Sequence, residues 1–185
     1  CSSIICSSFV FEVNLTIVIS KKQLTCDSKE FGIISSEMLR AGHTIRFRAK
    51  GTSMQPLIRD GDIVCVAPLE PEQINKGDVV LFIVGNGRAL LHRVVNIRKN
   101  NGDQEFLIQG DHTVHSDGYI SRSDILGMLV AIERGGIRIP ADRLLYKYLG
   151  RLSSLYIRMN PKNTRLYVTL YHLLKKLPFF RKYLS

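Results

Sequence analysis

The sequence predicts a mainly β (α+β) fold, in which an antiparallel or mixed sheet follows a short helix and precedes basic amphipathic helices. Three observations predict it. Between residues 45 and 140, short runs rich in Val, Ile, Leu and Phe alternate with Gly, Pro, Asn and Asp clusters, as strands joined by turns do. A stretch just before them, residues 30–43, carries helical spacing. After residue 140 the apolar period becomes helical and the charge turns strongly basic. The organisation expected is an N-terminal extension and helix over 1–44, a β domain over 45–140 and a helical tail over 141–185.

In order along the chain, SSFVFEVNLTIVIS comes nearest to a membrane span. Glu12 and Asn14 interrupt it, and its apolar runs fall short of the ~20 residues that a bilayer requires, so no transmembrane helix is expected. EFGIISSEMLRAGH reads as a helix, with Ile33, Ile34, Met38 and Leu39 at helical spacing and Gly42 as its stop. In TIRFRAKG, Ile45, Phe47 and Ala49 alternate with Arg46, Arg48 and Lys50, the pattern of a half-buried strand. Further strands are expected in DIVCVAP, DVVLFIV, ALLHRVVNIR, EFLIQGD, DILGMLVAIER and IRIP. Cys65 reads as a small core residue, and the cysteines lack the CxxC spacing of a zinc or redox motif.

In the tail, Leu144, Leu145, Tyr148, Leu149, Leu152 and Leu155 share one helical face, and the pattern resumes after Pro161. The net charge of +10 belongs to this region, because residues 143–185 hold ten Lys and Arg and no Asp or Glu. A basic amphipathic tail suits an anionic membrane surface, with packing against the β domain as the plain alternative. Peripheral membrane association is expected, with the side of the membrane open and the cytoplasmic face among the alternatives. Nucleic acid is not expected as a partner.

The stretch GTSMQPLIRDGD holds Ser53 on a constrained backbone, since Pro56 biases Gln55 toward extended geometry and Gly51 permits a sharp approach. An isolated loop serine is usually just polar; it becomes a nucleophile only when a base takes its proton. His92, a conspicuous titratable residue in the apolar run ALLHRVV, is the candidate base. In QGDHTVHSDG, Asp111 or Asp117 can orient its ring, although both also suit turns. His112 and His115 lie beside carboxylates, but no further soft ligand supports a metal reading. Neither metal nor cofactor is expected.

Together GTSMQPLIRDGDIVCV, INKGDVVLF, LLHRVV and FLIQGDHTVHSD resemble, in order and spacing, the signal peptidase I superfamily, the S24/S26 peptidases. The resemblance covers about residues 45–135. It implies a mostly β domain of coiled sheets with an exposed substrate groove, and a serine endopeptidase acting on an extended peptide or precursor. By position it makes Ser53 the nucleophile, His92 the base in place of a lysine, Asp117 the later aspartate and Asp111 the supporting one. The chain departs from the family in GDHTVHSD, which replaces an asparagine-rich segment, and in lacking a clear membrane anchor. The rival readings are a LexA-like self-cleaving regulator, which needs a lysine base, and a non-catalytic peptide- or lipid-binding module.

Overall fold

A computed structural model of the chain describes residues 28–69 and 74–141. The helix α1 (Ser28–Arg40) is followed by β1 (Ile45–Arg48), β2 (Ile63–Pro68), β3 (Val79–Ile83), β4 (Ala89–Asn100), β5 (Asp103–Gln109), β6 (Gly118–Ser121), β7 (Ile125–Arg134) and β8 (Ile137–Pro140). The strands form one sheet in the order β1-β2-β7-β3-β4-β5-β6, with β8 added on β7. Among the described residues every pairing is antiparallel, so of the two alternatives the sheet takes the antiparallel one. Register shifts at Cys65/Val66, Leu81/Phe82 and Val94/Asn96 bend the ladders and curl the sheet.

α1 ends where Gly42 suggests. Gly42 N–H bonds Leu39 O at 3.1 Å and His43 N–H bonds Met38 O at 2.9 Å, a Schellman closure that leaves Gly42 in the left-handed region at φ +83°. The buried stripe of the helix differs from the one the spacing suggests. Ile33 is 62% exposed, whereas Phe31, Ser35 and Leu39, four residues apart, face inward. Phe31 sets this register by meeting Phe47 of β1 edge-on, with ring centroids 4.8 Å apart.

Side chains on the two faces of the sheet build two cores. Phe47, Val64, Leu81, Leu91 and Ile132 pack with α1, while Val80, Phe82, Val94, Phe106 and Ile108 form the second cluster. Val80 and Leu81 are adjacent and serve opposite cores, because successive strand side chains point to opposite faces. That double burial is why DVVLFIV reads as a continuous apolar run rather than an alternating one. Each such side chain contributes about 1.5–3 kcal/mol on leaving water.

β6 does not emerge from the sequence patterning. Its four residues follow a polar turn, and it is a strand because it pairs with β5 from Ile108↔Gly118 to Glu105↔Ser121. Among the described residues no helix is long and apolar enough to cross a membrane. The apolar segment within residues 1–27 and the basic tail from residue 142 onward lie outside the described residues.

Candidate active site

The loop between β1 and β2 is closed at its base by Ala49 N–H to Asp62 O at 2.7 Å and Gly61 N–H to Ala49 O at 2.8 Å. The two aspartates of the DGD turn brace it from within. Asp60 Oδ1 accepts the Gly51 N–H at 2.8 Å, and Asp62 Oδ2 accepts the Arg59 N–H at 2.7 Å. Both Asp62 oxygens also hold Arg134 of β7, at 2.9 and 2.6 Å, and Arg134 reaches Leu57 O at 2.9 Å. Gly51 turns through φ +97°, a backbone region that favours glycine. Met54, Leu57 and Ile58 anchor the loop in the first core. Ser53 thus sits on a segment whose ends are bonded and whose following side chains are buried.

His92 is the fourth residue of β4, opposite Val80 of β3, on the face that carries the second core. Its ring lies 6.2 Å from that of Phe82 and is 6% exposed. Across 39 positions of sequence, its Nε2 lies 2.8 Å from Ser53 Oγ, and Ser53 is likewise 6% exposed. On the far side, Nδ1 is 2.7 Å from Asp117 Oδ2, whose side chain is 22% exposed. Asp117 is carried there by the end of β5, where its own N–H bonds Ile108 O at 2.8 Å. An ionised carboxylate only accepts, so Nδ1 carries the proton that is donated to Asp117. In that tautomer Nε2 is the acceptor facing the Ser53 hydroxyl.

Asp111 occupies a different position from Asp117. It is fully buried and gives both oxygens to Arg93, at 2.7 Å to Nε and 2.6 Å to Nη2. Arg93 follows His92 directly on β4, so its side chain goes to the opposite face, where Nη1 also donates to Gly77 O at 2.6 Å. Of the two aspartates that the sequence leaves open, Asp117 is therefore the one hydrogen-bonded to the His92 ring. The Asp111 segment meets the serine loop through backbone instead. His112 N–H donates to Ser53 O at 2.7 Å, and a Cβ at Gly110 would lie 2.8 Å from that same oxygen. Glycine is needed at 110 because two backbones touch there.

Three structural residues of the site have no role in the sequence analysis: Arg93, Asp62 and Arg134. The signal for Arg93 was available, since a guanidinium inside an apolar strand run requires a buried carboxylate partner. Which carboxylate supplies it depends on the fold.

Residues 17–130 match the Peptidase S24-like family. The chain is 29% identical over 85 residues to the signal peptidase complex catalytic subunit SEC11C of Homo sapiens, covering 40% of this chain and 44% of that protein. The same subunit of Canis lupus familiaris gives the same identity and coverage. Signal peptidase I W of Bacillus subtilis (strain 168) is 25% identical over 112 residues, covering 60% of this chain and 57% of that protein. The chain spans about half the length of the curated relatives that it matches. With most of the sheet inside the matched segment, the chain belongs to the Peptidase S24-like family, in the S24/S26 group related to signal peptidase I.

Proposed function

We propose that this protein is a serine endopeptidase that cuts an extended peptide or precursor with Ser53 as nucleophile, His92 as general base and acid, and Asp117 as the group orienting the ring. The observation that carries this reading is the unbroken relay from Ser53 Oγ to His92 at 2.8 Å and from His92 to Asp117 at 2.7 Å. In the first step Ser53 Oγ bonds to the scissile carbonyl carbon while its proton passes to Nε2. The tetrahedral species then expels the amine, which takes that proton from His92, and leaves an ester on Ser53. Water attacks the ester, giving one proton to Nε2. Release of the acid product returns the proton to Oγ. Asp117 stabilises the imidazolium formed in each half.

The developing oxyanion needs fixed donors. The Ser53 N–H suits that role, because among the described residues it has no acceptor. The neighbouring Thr52 hydroxyl is exposed and available beside it. Asp111 serves in this scheme as a positioning residue, since its bonds go to Arg93 and its segment supports the Ser53 carbonyl. Purified Ser53→Ala and His92→Ala proteins are expected to lose cleavage of a candidate precursor while their thermal unfolding stays cooperative. Wild-type rates in Ser53→Ala would end the assignment. Self-cleavage of the purified chain at alkaline pH would instead favour the LexA-like regulator.

Peripheral attachment to an anionic membrane through residues 143–185 is part of the same proposal, supported by ten basic residues without an acidic one among Leu, Tyr and Phe. Deleting 143–185 is expected to lower flotation with anionic liposomes and to leave small-peptide cleavage intact. Undiminished flotation of the truncated protein would refute the role of the tail.

A further inference from the structure

We propose that the cleft behind the Ser53 loop is an anion-recognition subsite that selects peptides bearing acidic side chains near the scissile bond. The inference rests on the peptidase reading above and adds a substrate class to it. The cleft has a volume of about 520 Å³ and lies where β1, the DGD turn and the β7–β8 turn meet. Four arginines line it, Arg46, Arg48, Arg59 and Arg134.

Two of the three carboxylates beside them are ion-paired with arginines of the cleft, and the third, Asp60, keeps its charge. Asp62 is bound by Arg134, Glu133 by Arg46, and Asp60 accepts the Gly51 N–H. Arg48 differs. Its Nη1 donates to Gly61 O at 2.8 Å, and among the described residues its guanidinium meets no carboxylate. An exposed guanidinium with unused fork donors matches a carboxylate bidentately.

The position of Arg48 links this charge to the chemistry. It ends β1, which is paired on one side by β2 and stands at the edge of the sheet among the described residues. An extended peptide adding to that edge gains main-chain hydrogen bonds and brings alternate side chains to the face bearing Arg46 and Arg48. Arg48 and Ser53 are five positions apart. Five residues of chain span at most ~17 Å, so an acidic side chain within about five residues of the cut reaches the cleft.

The test uses fluorescein-labelled decapeptides of otherwise identical Ala and Val composition carrying Asp-Asp, Asn-Asn or Lys-Lys at each register. Each is titrated against the full-length protein by anisotropy at about 50 mM and about 500 mM salt, and the same mixtures are assayed for cleavage. At low salt the best Asp-Asp peptide is expected to bind about fivefold or more tightly than its Asn-Asn counterpart, with the gap closing at high salt. Arg48→Glu is expected to invert the order in favour of Lys-Lys. Equal affinities for the three peptides, or an acidic preference that survives Arg48→Glu, would each overturn the inference. Acid-selective binding without Ser53-dependent cleavage would uphold the subsite and reject the peptidase reading.

Discussion

Replacing Asp111 with alanine strands the Arg93 guanidinium in the interior. The two side chains are 0% and 2% exposed, and the substitution removes both hydrogen bonds from Arg93 to Asp111, while Nη1 still donates to Gly77 O at 2.6 Å. Breaking a buried ion pair from one side costs about 3–5 kcal/mol, because the remaining charge keeps its desolvation penalty and loses its partner. For a domain of this size 1 kcal/mol shifts the melting temperature by ~4 °C, so the loss expected is about 12–20 °C. Replacing both partners, Arg93→Met with Asp111→Leu, leaves no charge buried and is expected to recover most of that stability. Circular-dichroism melts and urea titrations of the wild type, both single variants and the double variant measure the coupling directly. An Asp111→Ala protein melting within ~4 °C of wild type, about 1 kcal/mol, would refute the reasoning. It would mean that Arg93 finds water or another acceptor in solution. Because Gly110 and His112 touch the Ser53 backbone, turnover measured well below the melting range is expected to fall as well.

Asp117→Asn tests orientation without a buried charge. Its side chain is 22% exposed, so stability is expected to change by less than ~1 kcal/mol. Peptide turnover is expected to drop by a factor on the order of 10³–10⁴, as the amide no longer enforces the Nδ1–H tautomer; turnover within a few-fold of wild type would remove Asp117 from the relay. The Arg46–Glu133 pair predicts a small acid dependence of stability. The hydrogen bond from Arg46 holds the Glu133 carboxyl below its ordinary value, against an opposing effect of burial. Its stabilisation is therefore present above the unfolded carboxyl value near ~4.3 and lost as pH falls through the lower folded value. Arg46→Gln is expected to flatten that acid limb in urea titrations by less than ~1 kcal/mol, since Arg46 is 42% exposed; an unchanged limb would contradict the assignment.

Much of this protein is legible in its sequence because local physics decides it. The period-two pattern at Ile45, Phe47 and Ala49, the turn residues between apolar runs and the glycine stop at Gly42 each act over a few residues, and each appears in the structure where the pattern puts it. The oddity of a serine before a DGD turn and a histidine inside an apolar strand is equally local. Helix facing is less so. Ile33 and Phe31 are both apolar, and the partner ring of Phe47 selects which one is buried.

Partner choice over long separations was decided by the tertiary structure alone. Ser53 and His92 stand 39 positions apart, His92 and Asp117 a further 25, and only the curled antiparallel ladders bring them within hydrogen-bond reach. Asp111 and Asp117 look alike in sequence, both being aspartates in one polar turn. In the folded chain one is bound by Arg93 in the interior and the other by the His92 ring. β6 and the clamp of Arg134 on Asp62 have the same origin, for neither a strand pairing nor an ion pair is a property of one segment. Composition and spacing determine which groups this chain owns. Only packing of the sheet, with the cost of burying charge unpaired, determines which of them meet.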